Sequence, residues 1–95
     1  MINIIGHRGG RALWPENSIM GFRKAVAVGV DYIELDVHLS ADGEGMVMHD
    51  PTLERTTMGT GTVVEKTAAE LTGIPLRDAD GECISTLDTV FSTLA

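Results

Sequence analysis

The sequence predicts an α/β fold: a strand, a helix and a second strand forming a βαβ unit, then a β-hairpin and short helices. Three observations carry this expectation. Residues 2–5 are a short, largely apolar run ending at Gly6; Ile19, Phe22, Ala25 and Val26 recur at helical spacing; Ile33, Leu35, Val37 and Leu39 alternate with Glu34, Asp36 and His38. A strand, a helix and a strand within a span on the order of 35 residues call for parallel strands joined by a right-handed crossover.

The run 2–5 suits a strand buried on both faces, as in a parallel sheet. His7 and Arg8 follow at its carboxyl end, where ligands bind in open α/β sheets and in barrels. This segment alone equally allows a His bonded to a neighbouring loop and a solvated Arg. Gly9 and Gly10 permit a sharp turn or a close backbone approach. Next, Trp14-Pro15-Glu16-Asn17-Ser18 breaks the chain and opens a helix, with Asn17 or Ser18 as its cap and Gly29 as its stop. Favourable electrostatics at a helix start are an adequate reason for Glu16.

Residues 32–50 read as a strand, a tight turn and a returning strand, because Asp42-Gly43 is a strong hairpin signal. An even loop centred there pairs Leu39 with Met46, Val37 with Met48 and Asp36 with His49. One face then carries Ile33, Leu35, Val37, Leu39, Met46 and Met48, and the other gathers Glu34, Asp36, His38 and His49. Two carboxylates and an imidazole meeting in this way suit a hard-metal site with an acid/base beside it. A slip of one residue would turn His49 away from the acids and bury it among apolar side chains.

Residues 52–62, rich in Thr and Gly, read as an irregular loop over the same edge. Thr67 to Glu70 has capping-box spacing and starts a short helix closed by Gly73 and Pro75; residues 77–81 are turn-like. Ser85-Thr86-Leu87-Asp88 opens a last helix with a core stripe of Leu87, Val90, Phe91 and Leu94. The sequence stops at Ala95 within that stripe, so the expectation is one unfinished domain over 1–95, with 51–81 as an inserted loop and short-helix region.

With 95 residues the chain suffices for one small domain. A net charge of −7 and the lack of a basic patch argue against nucleic acid or an anionic membrane surface as partner. The lone Cys83 excludes an intramolecular disulfide and reads as a small buried hydrophobe. The start resembles no secretory signal, and no apolar run reaches the roughly 18 residues of a membrane span, so a soluble cytoplasmic protein without a stable membrane anchor is expected.

Several motifs together resemble the amino-terminal part of the glycerophosphodiester phosphodiesterases: GHRG after the first strand, PENS opening the helix, IELDV followed by ADG, MHD ending the return strand, and LERTTMGTG. The departures are Ser18, where Thr is commoner, and Met58, where a polar residue is usual. The resemblance implies the amino-terminal part of a TIM (β/α) barrel and metal-dependent cleavage of glycerophosphodiesters to glycerol 3-phosphate and an alcohol. It implies His7 and His49 as the acid/base pair, Glu34 and Asp36 as ligands of Mg²⁺ or Ca²⁺, and Arg8 as a phosphate contact. A complete barrel has about 250 residues, and the family's third metal carboxylate lies on the next strand, so this chain alone is expected to be inactive. Two other readings stay open: a non-catalytic metal- or phosphate-binding remnant that assembles with copies of itself, and a phosphoinositide phospholipase relative. The stretch LERTTMGTG favours the first family over the last.

Overall fold

The computed structural model describes residues 3–11 and 13–94. Its first strand, β1 (Ile5–Gly6), pairs in parallel with β2 (Tyr32–Ile33), and helix α1 (Ile19–Ala27) crosses between them, as the βαβ reading requires. A hairpin of β3 (Val37–Leu39) and β4 (Gly45–Val47) follows, then a 3-10 turn (Val63–Glu65) and the helices α2 (Ala68–Leu71) and α3 (Leu87–Leu94). Among the described residues no helix is long and apolar enough to cross a membrane.

Helix α1 begins where its cap can work. Ser18 is extended and its hydroxyl accepts from Gly21 N, while Asn17 lies outside the helix. A second cap comes from far along the chain: the Glu82 carboxylate accepts from Ile19 N at 2.6 Å and Met20 N at 3.0 Å. A carboxylate here answers both the unpaired amides and the positive end of the helix dipole. Helix α2 carries the expected capping box between Thr67 and Glu70.

The first strand departs from expectation. Ile2, the first residue of the predicted run, lies outside the described residues, and Ile4 and Ile5 are more than half exposed. Among the described residues β2 is the one strand paired with β1, and the Ile4 and Ile5 side chains that a parallel sheet would normally bury are exposed. Val26 of α1 and Phe91 of α3 are likewise exposed rather than core, although Phe22, Ala25 and Val90 are buried. Cys83 is only half buried.

The hairpin register differs by one residue from the even-loop expectation. Val37 pairs with Val47, His38 with Met46 and Leu39 with Gly45. The loop is odd: Gly43 N donates to Ser40 O and Ser40 N to Glu44 O, with Gly43 at φ +83°, a turn followed by a left-handed glycine. Asp42 stabilises that choice by accepting from the Ser40 hydroxyl and from Ala68 N. The predicted single apolar face is split in consequence. Met46 and Met48 join Leu53, Val63, Leu71, Leu76, Ala79 and Ile84 in one cluster, whereas Val47 turns the other way to Phe22 and Val90, with Ile33 and Leu35 against them. Val37 and Leu39 stay exposed. β4 thus separates two small cores, which is why Met46 and Val47 within it and Met48 just past its end are all buried.

Phe22 also fixes the turn after β1. A Cβ on Gly9, at φ +74°, would sit 2.6 Å from the Phe22 ring, so the turn closes only with glycine there. Phe22 is fully buried at the junction of α1, β4 and α3. Phe22→Ala is expected to cost about 3–5 kcal/mol of a total in the range of about 5–15 kcal/mol. Urea unfolding followed by circular dichroism should show a midpoint shift of that order, and a shift below about 1 kcal/mol would contradict this packing.

Candidate active site

The parallel register sets the site's first pair. Ile5 stands beside Tyr32 and Gly6 beside Ile33, so the next position in register brings His7 beside Glu34 at the carboxyl ends of both strands. Glu34 N donates to Gly6 O at 2.9 Å, and His7 Nε2 lies 3.0 Å from Glu34 Oε1, both side chains half exposed.

Arg8 turns inward instead. Its backbone is left-handed at φ 49°, a conformation that costs a non-glycine residue about 1–3 kcal/mol. The turn holds because Gly10 N donates to His7 O and Asn17 N to Arg8 O, both at 2.8 Å. Buried as a result, the Arg8 guanidinium donates from Nη1 to the Glu16 carboxylate at 3.3 to 3.4 Å. Its Nε, 3.6 Å from Asp36 Oδ2, is too far for a hydrogen bond and has no hydrogen-bond partner among the described residues.

Asn17, weighed in the sequence only as a cap, holds Asp36 from both ends. Its Nδ2 donates to Asp36 Oδ2 at 3.1 Å and its Oδ1 accepts from Asp36 N at 3.4 Å. A cue was present in the sequence, since Ser18 suffices as cap and Asn tolerates the left-handed backbone that Asn17 adopts at φ 53°.

The second half of the site is His49. The one-residue shift puts Met48, not His49, across from Asp36, with Met48 N donating to Asp36 O at 2.9 Å. His49 is nevertheless not buried among apolar groups, because β4 ends at Val47 and the chain bends away before the ladder reaches it. Its side chain is 41% exposed, and its Nδ1 donates to Asp50 Oδ1 at 2.8 Å. Among the described residues no ion pair joins His49 directly to Glu34 or Asp36; the connection runs through other residues. Arg55 donates to both Asp50 oxygens, from Nε at 2.8 Å and Nη2 at 3.0 Å, and to both Glu16 oxygens at 2.9 Å. One sequence of contacts therefore leads from His49 through Asp50, Arg55, Glu16 and Arg8 to Asp36. Sequence reasoning missed Asp50 and Arg55 as site residues and gave Glu16 only its helix-start role, because no periodicity connects residues 39 positions apart.

His38 takes no part in that connection. Its Nε2 donates to the His49 carbonyl at 2.8 Å, tying β3 to the end of β4. The charges along the connection bias one another. Burial pushes the Glu16 carboxyl up, but the Arg55 hydrogen bond and the charges of Arg55, Arg8 and Arg11 outweigh it and leave Glu16 below its ordinary value. The Arg55 hydrogen bond, with a smaller one from His49, holds Asp50 well below the usual carboxylate range. Asp50 and then Glu16 raise Arg55 in turn.

The donor chemistry of Glu34 and Asp36 fits a hard cation, which prefers carboxylate oxygens. Glu34 Oε2 and Asp36 Oδ1 have no hydrogen-bond partner among the described residues, so each acid keeps one oxygen for a ligand. The donor count is short: among the described residues no group of three or more His, Cys, Asp or Glu side chains is placed to hold a metal.

The profile of the glycerophosphoryl diester phosphodiesterase family matches residues 7–94. A glycerophosphodiester phosphodiesterase of Caldanaerobacter subterraneus subsp. tengcongensis is 43% identical over 96 residues, covering 96% of this chain and 40% of that protein. The crystal structure of a glycerophosphodiester phosphodiesterase from Agrobacterium tumefaciens superposes with a TM-score of 0.92 at 39% identity, over 99% of this chain and 43% of that one. An Oleispira antarctica phosphodiesterase, solved with the product sn-glycerol-3-phosphate, superposes at 0.90 with 31% identity, over 99% of this chain and 40% of that one. The chain belongs to the glycerophosphoryl diester phosphodiesterase family. It spans about two fifths of the length of these relatives.

The charge contacts predict an acid limb of stability. Asp50 and Glu16 are lowered in the folded chain, so their contribution is present above the ordinary carboxylate values near pH 4 and is lost as pH falls through the folded values. The urea midpoint should hold level from about pH 7 to 5 and fall below about pH 4. Arg55→Met should flatten that fall; an equally steep acid limb in the variant would contradict the assignment.

Proposed function

We propose that this chain forms the amino-terminal catalytic part of an enzyme that hydrolyses glycerophosphodiesters to glycerol 3-phosphate and an alcohol. Residues 1–95 are one partial domain of a (β/α) barrel, with 51–81 as an inserted loop and short-helix region. The observation that carries this reading is the contact of His7 with Glu34 at the adjoining carboxyl ends of β1 and β2, beside half-buried Asp36 and buried Arg8. Support for the substrate class comes from family membership and from the Oleispira relative with its glycerol phosphate product.

In this reading His7 and His49 divide the proton work. One imidazole takes the proton of the attacking hydroxyl, and the other donates a proton to the leaving alkoxide oxygen. Arg8, with its planar guanidinium, orients the phosphate. Glu34 and Asp36 are two of the ligands for Mg²⁺ or Ca²⁺, which when bound stabilises charge on the phosphoryl oxygens. Asn17 holds Asp36 in place for that task. A third carboxylate ligand and most contacts to the alcohol are expected on the later strands and loops of a full-length family barrel.

The test is a chimera in which this chain replaces the matching segment of the Agrobacterium relative. It is expected to hydrolyse glycerophosphocholine with Mg²⁺ or Ca²⁺, whereas the 95-residue chain alone is not. His7→Ala or His49→Ala in the chimera should lower kcat about 10²- to 10⁴-fold, the usual worth of a general acid or base. A folded chimera whose turnover survives either substitution would overturn the roles, and robust turnover by the isolated chain would overturn its incompleteness.

A further inference from the structure

The geometry around Arg55 points to a function beyond holding a loop. Asp50 follows His49 directly in sequence, and a half-buried carboxylate on a bend has more than one rotamer available. Arg55 removes that freedom by donating to both Asp50 oxygens, and its other edge donates to both Glu16 oxygens. Glu16 is itself held by buried Arg8, so the clamp is anchored on the chain segment that carries His7 and Arg8. The fixed Asp50 Oδ1 lies 2.8 Å from His49 Nδ1. An ionised carboxylate only accepts, so Nδ1 must carry the hydrogen, and a neutral His49 ring then presents Nε2 as a free lone pair.

We propose that Arg55, anchored on Glu16, is the positioning residue for His49: by fixing Asp50 it sets the Nδ1–H tautomer and aims Nε2 as the base. The assignment rests on the acid/base reading of His49 given above. Lysine cannot replace Arg55 in this task, since a point charge cannot bridge two carboxylates in two parallel pairs of bonds.

His38 supplies an internal control. Its Nε2 donates to the His49 carbonyl, which fixes the opposite tautomer in a ring on the neighbouring strand. Long-range ¹⁵N–¹H correlation spectra of the ¹⁵N-histidine-labelled chain, recorded in mildly alkaline solution where imidazoles are generally neutral, read both rings at once. The expected result is His49 as Nδ1–H and His38 as Nε2–H. In Arg55→Met the His49 tautomer ratio should move toward Nε2–H by about tenfold, the effect of losing one charge-assisted hydrogen bond, while His38 is unchanged. Arg55→Lys should fall between the two. A His49 that stays Nδ1–H in Arg55→Met with His38 intact overturns the proposal. If Arg55→Met loses the His38 signature as well, Arg55→Lys decides, and an unchanged His49 ratio there overturns it. Because no turnover is measured, failure of the hydrolase reading in the chimera and failure of this assignment are seen separately.

Discussion

One carboxylate holds the two halves of the site together. Glu16 is largely buried and accepts hydrogen bonds from Arg8 on one side and from both terminal nitrogens of Arg55 on the other. A buried carboxylate without partners would be strongly unfavourable, and either guanidinium without Glu16 would lose its anchor. An apolar replacement of the whole group could be as stable, so net stability is a poor reason for its presence. Its geometry is a better one, because two planar forks sharing one carboxylate fix the orientation of both.

Around that junction the backbone does the remaining placement. The parallel pairing of β1 and β2 brings His7 and Glu34 together one residue beyond the last ladder position, with no side-chain packing needed. Arg8 reaches the interior only because its backbone is left-handed, and the glycine after it, closed down by the Phe22 ring, leaves the turn little room to relax. Core and site are therefore coupled through Phe22, which fills the junction beneath α1 and lies against the same turn.

At the hairpin, local signals and tertiary contacts part company. Asp42-Gly43 marked the turn correctly, yet the number of loop residues, and hence the register, depended on Ser40 and on a hydrogen bond from Ala68, a residue of α2. A dipeptide signal cannot contain that information. His49 shows the same limit from the other side. Strand alternation cannot place a residue that lies past the end of its strand, where Asp50 and Arg55 take over.

By itself the sequence determined the α/β class, the crossover and the capping box of α2, narrowed the α1 cap to Asn17 or Ser18, and singled out His7, Arg8, Glu34, Asp36 and His49 as chemically distinctive, because propensity, spacing and side-chain chemistry are local properties. Tertiary structure alone decided how those residues are joined: the Glu82 cap on α1, the Asn17 brace on Asp36 and the bridge through Glu16 and Arg55. Each of these unites residues at least 19 positions apart, and partners at that distance are selected by which surfaces pack rather than by any period in the chain.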